Sequence, residues 1–599
     1  MRIKWFSAVR VTGLLLVLLY HYFKTTFPGG FIGVDIFFTF SGYLITALLL
    51  DEFARTQKVD YVAFLRRRFY RIVPPLVLMI LVVMPFTFLV KRDFVADIGR
   101  QIATTLGFTT NFYELFIGAN YENQFIPHLF LHTWSLAIEV HFYLIWGLVV
   151  WLLSKRVNRA SQLRGLLFLT SGLFFLISFL TMFIGAFLTD NFSNLYFSSI
   201  AHAFPFFVGS FLATLTGISD TTKKFRRQVA EWQTRTVLLV TLGGFVGLVV
   251  MGLFLDFNHI FTYLLGFLLA SLLGGVMIYS TRVLHEKLPK LNEPKILTFL
   301  SDTSYGVYLF HWPFLVIFNQ FMPLGFSVFF TTLLSLIFAS LSYYVLEPIL
   351  LGKEPSLLGL GLNWRPYQKY LLGVAAGLAL LATGISIFAP KVGQFETELR
   401  ASALEQANSN LNRTHTLAAG DADAMSSLMI IGDSVTLRAS EAIKEALPEA
   451  YVDAAGSRNT SQANEIVANN IKNKSLPKYL VVATGVNIVY NYQEELDRLV
   501  KQLPKGHSLI LVTPFDGNSS GYDNPIAQKH RIYELELAKK YSYITIADWY
   551  QTSVDNPQIW VGSDKIHFGG DSETMLEGAK LYAQTIKKAV EEASKKSTK

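Results

Sequence analysis

Met429-Ile-Ile-Gly-Asp-Ser434 and Asp564-Lys-Ile-His567 bracket the last third of a 599-residue chain, and reading them as the two ends of one domain decides its architecture. The first is a short apolar run that closes on a serine, where a strand hands over to a helix. A serine at such a turn exposes its hydroxyl, and nearby backbone N–H groups can hold an oxyanion. The second supplies an acid and an imidazole, so the chain order is Ser434, Asp564, His567. That is one of the orders in which a nucleophile, an orienting acid and a base occur. Between them, apolar runs at 428–431, 479–483, 508–512 and 543–546 alternate with helical patterns at 441–446, 493–502, 528–541 and 573–593. Alternation of this kind predicts a parallel sheet covered by helices, with its chemistry on loops at the strand C-termini.

Upstream, 391–427 is polar and rich in Ala, Asn and Glu, and reads as a linker or stalk, partly helical around 396–408. The chain thus divides into 1–390, 391–427 and 428–599. Hydrophobic residues make up 52% of the whole and charged residues 16%, against roughly 25% charged in soluble proteins. The excess apolarity sits in the first block. Apolar runs of the length that crosses a bilayer lie at 8–27, 31–50, 72–90, 131–151, 166–188, 196–215, 237–255, 260–279, 296–318, 326–345 and 371–389, about eleven spans. Segment 98–117 carries Arg100, Gln101, Asn111 and Glu114, too polar for exposed hydrocarbon, and reads as a loop, a surface helix or a re-entrant segment.

Basic loops alternate with short ones that carry no Lys or Arg: 55–71, 155–164, 223–235, 282–295 and 353–369 hold Lys and Arg, while Lys91, Arg92 and Arg100 are exceptions. The positive-inside rule then puts the N-terminus in the cytoplasm and, after an odd number of spans, the C-terminal block outside. The first apolar run lacks a small-residue cleavage site and reads as the first span rather than a signal peptide. The net charge of +8 therefore encodes topology and does not point to nucleic acid. With no cysteine, disulfides, thiolate metal sites and cysteine nucleophiles are excluded. No metal or resident cofactor is called for, and oligomeric state is not legible.

Arg10, His21, Asp35, Glu139, His311 and Glu347 lie in or beside apolar runs. Such groups mark a polar interior site or form structural pairs. His21 follows Arg10 by 11 residues, about three helical turns, so one interior stripe can carry both. A neutral imidazole there suits a general base or an acyl carrier.

Arg10 with His21, then Gly30-Phe-Ile-Gly-Val-Asp-Ile-Phe-Phe-Thr-Phe-Ser-Gly-Tyr-Leu-Ile45, Phe64-Leu-Arg-Arg-Arg-Phe-Tyr-Arg-Ile-Val-Pro74, His132-Thr-Trp-Ser-Leu-Ala-Ile-Glu139, Ser304-Tyr-Gly-Val-Tyr-Leu-Phe-His311 and Glu347-Pro348 resemble the acyltransferase-3 family over residues 1–350. The resemblance implies transfer of acetyl from cytoplasmic acetyl-CoA to a sugar hydroxyl, with His21 and Arg10 essential. Arg66, Arg67, Arg68 and Arg71 suit a polyphosphate ligand by bidentate contact, though the same cluster also serves topology alone. The family often continues its Trp-Ser-Leu with Glu-Glu-Gln-Phe-Tyr; this chain has Glu139-Val-His-Phe-Tyr143, which leaves no second acid.

The C-terminal block resembles the SGNH hydrolase family, a flavodoxin-like α/β/α fold. The family's four residues map to Ser434, Gly456, Asn487 and His567, with the Ser434 and Gly456 N–H groups and the Asn487 amide as oxyanion hole. The Asp usual after the asparagine is Ile488 here. Joined in this order, the halves resemble the peptidoglycan O-acetyltransferases of Gram-positive bacteria. This implies a cell-membrane enzyme that moves acetyl past His21 to a Ser434 acyl-enzyme and on to the C6 hydroxyl of N-acetylmuramic acid, with lysozyme resistance as the consequence. Another surface polysaccharide as acceptor, or an extracellular esterase fused to a transporter, are the alternatives. Acceptor choice would lie in loops such as 517–524.

Overall fold

The computed structural model describes residues 3–117, 127–189, 191–357, 360–393, 397, 401, 403–404, 427–487, 491–518, 526–561 and 563–599. Most of the expected stalk and of the 517–524 loop therefore lies outside the described residues, as does Ile488. The chain forms two compact units, Met1–Lys391 and Val392–Lys599.

The first unit is helical. Among the described residues, eight helices are long and apolar enough to cross a membrane. Each of the eleven expected runs overlaps a helix, but three differ from a simple span. Phe6–Tyr22 and Ala201–Thr216 are shorter apolar helices, and Lys295–Phe318 carries Lys295, Asp302 and His311. Segment 98–117 breaks into Ile98–Leu106 and Thr110–Phe116, helices too short to span.

Lipid offers no hydrophobic drive between helices, so close backbone approach and interhelical hydrogen bonds hold them together. Helices Gly33–Thr56 and Phe204–Thr216 meet through Gly42 and Gly209. A Cβ on Gly42 would strike the Phe206 carbonyl, and one on Gly209 the Thr39 carbonyl. Beside this crossing Thr46 Oγ1 donates to Ser210 Oγ at 2.8 Å, and Ser210 Oγ to the Gly42 carbonyl at 3.3 Å.

After a two-stranded antiparallel turn, β1 (Ser356–Leu357) and β2 (Leu360–Gly361), all further strands belong to the second unit: β3 (Leu428–Gly432), β4 (Ala450–Ala454), β5 (Tyr479–Ala483), β6 (Ser508–Val512) and β7 (Ile544–Ala547). They form one parallel sheet in the order β4-β3-β5-β6-β7. Side chains alternate between faces, and both faces are covered. Leu428, Ile430, Val481 and Ile510 pack with Ala579, Tyr582 and Ile586 of the Ser572–Ser594 helix. Met429, Ile431, Leu480 and Leu509 pack with Val467, Leu496 and Leu537 from the opposite layer. Burial on both sides is why these strands read as continuous apolar runs. β4 is an edge strand with a half-buried pattern around Asp453, and neither it nor the Thr460–Lys472 helix after it stands out in the apolar pattern.

The helix crossing yields a first prediction. Gly209→Ala should destabilise the membrane unit by about 1–3 kcal/mol, the usual cost of overpacking, whereas Thr46→Val, which ends the bond to Ser210 and the one accepted from the Trp146 indole at 2.8 Å, should cost about 1 kcal/mol, typical of two interhelical hydrogen bonds. Thermal unfolding of the detergent-solubilised chain measures both; an unchanged midpoint in Gly209→Ala contradicts the crossing described.

Candidate functional site

In the soluble unit, register brings the residues together. Gly432, Ala454 and Ala483 lie in one row across β3, β4 and β5. Ser434 follows that row by two residues, Gly456 by two and Asn487 by four, so all three leave the same C-terminal edge, with Ser434 after β3, between the neighbouring strands β4 and β5. Gly432 is required by close approach, because a Cβ there would fall on the Thr436 side chain.

Ser434 opens the helix Ser434–Arg438, capped by Asp433, whose carboxylate accepts from the Val435 N–H at 3.0 Å. Ser434 Oγ lies 2.7 Å from His567 Nε2, and His567 Nδ1 lies 2.7 Å from Asp564 Oδ2. A carboxylate only accepts, so Nδ1 carries the proton and Nε2 faces the serine hydroxyl as a base. Asp564 Oδ1 also accepts from the backbone N–H groups of Ile566 at 2.9 Å and His567 at 2.6 Å, which fixes the acid to the loop that bears the imidazole. Burial alone would raise the Asp564 carboxyl, but hydrogen bonds and charge from His567 hold it below its ordinary range.

Arg438 and Asn518 secure this loop. Arg438 Nε donates to the Phe568 carbonyl at 2.9 Å, tying the helix after the serine to the residue after the histidine. On the other side Asn518 Nδ2 donates to the Asp564 carbonyl at 3.0 Å, and the Gly517 N–H to that of Lys565 at 2.8 Å. An arginine four residues after the serine was a usable signal; Asn518 was not. Gly456 lies in open space beyond β4. Asn487 Nδ2 donates to the Arg458 carbonyl at 2.9 Å, which orients the amide.

In the helical unit the polar residues divide into three places. Arg10, Arg68, Arg71 and Glu139 line a cavity of about 290 Å³. Arg71 is held by Glu347 through contacts of 2.8 and 3.0 Å. Glu139 accepts from Ser41 Oγ at 2.5 Å and from the Tyr143 hydroxyl. Arg68 packs against Phe64 and Tyr143, and its buried Nε has no hydrogen-bond partner among the described residues. A cavity with unspent guanidinium donors suits an anionic ligand. The arginine cluster is split: Arg67 pairs with Glu52 at 2.8 Å, and Arg66 is exposed.

His21 lines a different cavity, of about 250 Å³, with Lys24 and Trp312. The shared stripe on the first helix therefore does not put Arg10 and His21 in one pocket; 11 residues of helix separate them by about 16 Å. His311 is 2.8 Å from His21. Asp35 stands apart from both cavities: its Oδ1 meets His202 Nε2 at 3.0 Å, both side chains fully buried among Trp134, Tyr196 and Phe267.

The Acyl_transf_3 family profile, described as an acyltransferase domain, matches residues 3–346. The chain is similar to the O-acetyltransferases OatA of Staphylococcus aureus strains MRSA252 and NCTC 8325, 26% identical to each over 98% of this chain and 95% of theirs. It is also similar to the structure of the Streptococcus pneumoniae peptidoglycan O-acetyltransferase A C-terminal catalytic domain with a methylsulfonyl adduct. That likeness has 50% identity, covers 29% of this chain and 97% of the solved one, and has a TM-score of 0.29.

Asp433 gives this site a pH signature. Burial lifts its carboxyl from 3.8 to about 6, against the hydrogen bond from Val435 and the charge of His567. A carboxyl raised in the folded state contributes stability below its unfolded value and loses it as pH rises through the folded one. The loss is about 3 kcal/mol by pH 8, at 1.36 kcal/mol per unit. Asp433→Asn keeps a good cap without the charge. Its stability relative to wild type should rise by about that amount between pH 4 and pH 8; denaturant unfolding that shows a pH-independent difference contradicts the burial argument.

Proposed function

The chain belongs to the Acyl_transf_3 acyltransferase family, and from that premise we propose that it is a peptidoglycan O-acetyltransferase whose two units act in sequence on one acetyl group. The N-terminus and basic loops face the cytoplasm, and Val392–Lys599 lies outside. Acetyl-CoA enters from the cytoplasm, with Arg10, Arg68 and Arg71 receiving its phosphates. His21 takes part in passing acetyl outward, as a base or as an acyl carrier. Ser434 receives it.

The observation that carries the reading is the unbroken line from Ser434 Oγ to His567 to Asp564, at 2.7 Å for each step. Its chemistry follows in two halves. Ser434 Oγ attacks the acetyl carbonyl while His567 Nε2 takes the hydroxyl proton. The tetrahedral oxyanion is held by the Ser434 and Gly456 N–H groups and by the Asn487 N–H not committed to Arg458. Collapse expels the donor group, which leaves with the proton from His567. An acceptor hydroxyl then gives its proton to His567, attacks the acetyl-serine carbonyl and departs as the ester, restoring Ser434. Asp564 holds the imidazole in the tautomer that both halves need. The acceptor is the C6 hydroxyl of N-acetylmuramic acid, a reading supported by the peptidoglycan O-acetyltransferase similar to the C-terminal unit.

Expression of matched variants in cells that make O-acetylated walls tests this. Ser434→Ala should cut muramic acid O-acetylation by about 10³-fold or more and Asp564→Asn by up to about 10⁴-fold, as loss of a triad member does; His21→Ala should abolish it as well. Unchanged or raised acetylation in Ser434→Ala contradicts the transferase reading and favours an esterase.

A further inference from the structure

His311 is fully buried in the Lys295–Phe318 helix, and its two ring nitrogens meet different partners. Nδ1 lies 2.7 Å from the Tyr308 carbonyl and 3.2 Å from that of Val307. A carbonyl can only accept, so Nδ1 carries the proton. A buried imidazole is costly to charge inside an apolar span, so the ring is neutral and its Nε2 is a bare lone pair. That lone pair sits 2.8 Å from His21 Nδ1. Two ring nitrogens at this distance share one proton, and His311 has none to give there. The proton therefore sits on His21 Nδ1, and a neutral His21 keeps its own lone pair on Nε2.

The surroundings hold both rings in this relation. The His21 and His311 rings stack at 5.0 Å and 24°. Trp312 packs against His21 at 4.7 Å while its indole N–H donates to the His128 carbonyl at 3.0 Å. The third histidine nearby, His132, donates from Nε2 to the Leu309 carbonyl at 2.9 Å and meets His311 edge-on at 5.9 Å. Its proton is thus committed elsewhere and does not compete.

We propose that His311 is a positioning residue that fixes His21 in the Nδ1–H tautomer, leaving an unprotonated Nε2 for the cavity that His21 lines. The proposal rests on the reading of His21 as base or acyl carrier, since either role needs a lone pair on a defined nitrogen. His311 then does for His21 through a neutral acceptor what Asp564 does for His567 through a charged one. It also makes the backbone carbonyl of Tyr308 the end of the chain that sets the tautomer.

The full chain in liposomes tests it by two readouts. For acetyl-CoA turnover, His311→Phe keeps a ring without an acceptor and should lower the rate on the order of 10²-fold or more, since a wrong tautomer costs up to about 10⁴. His311→Gln, whose amide oxygen can accept from His21 Nδ1–H, should restore the rate to within about tenfold of wild type. A role in packing alone predicts the reverse order, because Phe matches the ring better than Gln. For the tautomer itself, solid-state NMR of ¹⁵N-histidine-labelled protein, with the His21→Gln spectrum subtracted, should show a protonated Nδ1 and an unprotonated Nε2 at His21. A protonated Nε2 in wild type overturns the proposal, even where His311→Phe fails to fold. Full turnover in His21→Ala would instead overturn the catalytic reading of His21, a failure that the spectrum distinguishes from a wrong tautomer.

Discussion

An ionisable side chain inside hydrocarbon must find another polar group, because neither lipid nor bulk water will solvate it there. The helical unit obeys this constraint with partners brought from distant parts of the chain. Arg71 meets Glu347, Asp35 meets His202, His21 meets His311, and Glu139 takes hydroxyls from Ser41 and Tyr143. Each pairing fixes where two helices stand relative to one another, so the polar groups that chemistry needs also set the register of the bundle. Of the ionisable groups, the Arg10 and Arg68 guanidiniums line one cavity and the His21 ring, paired with His311, lines the other.

The second unit solves a different problem, that of holding a serine, an acid and an imidazole to within tenths of an ångström. A parallel sheet buried on both faces supplies a rigid edge, and β3, in contact with both β4 and β5, carries the serine turn. The histidine loop owes its order to hydrogen bonds from both flanks, from Arg438 and from the Gly517–Asn518 turn. The precision of this arrangement is a property of those flanking bonds as much as of the three named residues.

Much of this was legible in the sequence, for identifiable reasons. The structure brings Ser434, Asp564 and His567 together; Ser434 stood out because an apolar strand run ends just before it, and the other two because an acid and an imidazole stand three residues apart. Strands β3, β5 and β6 were found because double burial leaves continuous apolar runs. β4 was missed because an edge strand with Asp453 lacks such a run, although Asn459 and Gln462 announced the next helix by their capping box. The split of the arginine cluster was not available from helical geometry: Arg68 lies three residues and Arg67 four from Arg71, so both fall near its face, and only the pairing of Arg67 with Glu52 separates them. Likewise, nothing local signals that Asp35 pairs with His202 or His21 with His311, 167 and 290 residues away. Those are facts of packing, and they moved Asp35 out of the site while giving His311 a defined partner.

On the proposed reading, one acetyl group visits both units. Sealed membrane vesicles with the cytoplasmic face outward, containing the full chain and given labelled acetyl-CoA from outside, test it most directly. After rapid acid quench, peptide mapping should find the label on Ser434 in wild type and none there in His21→Ala. Equal labelling of Ser434 in the two proteins would show that acetyl reaches the serine without the membrane histidine, and would contradict the claim.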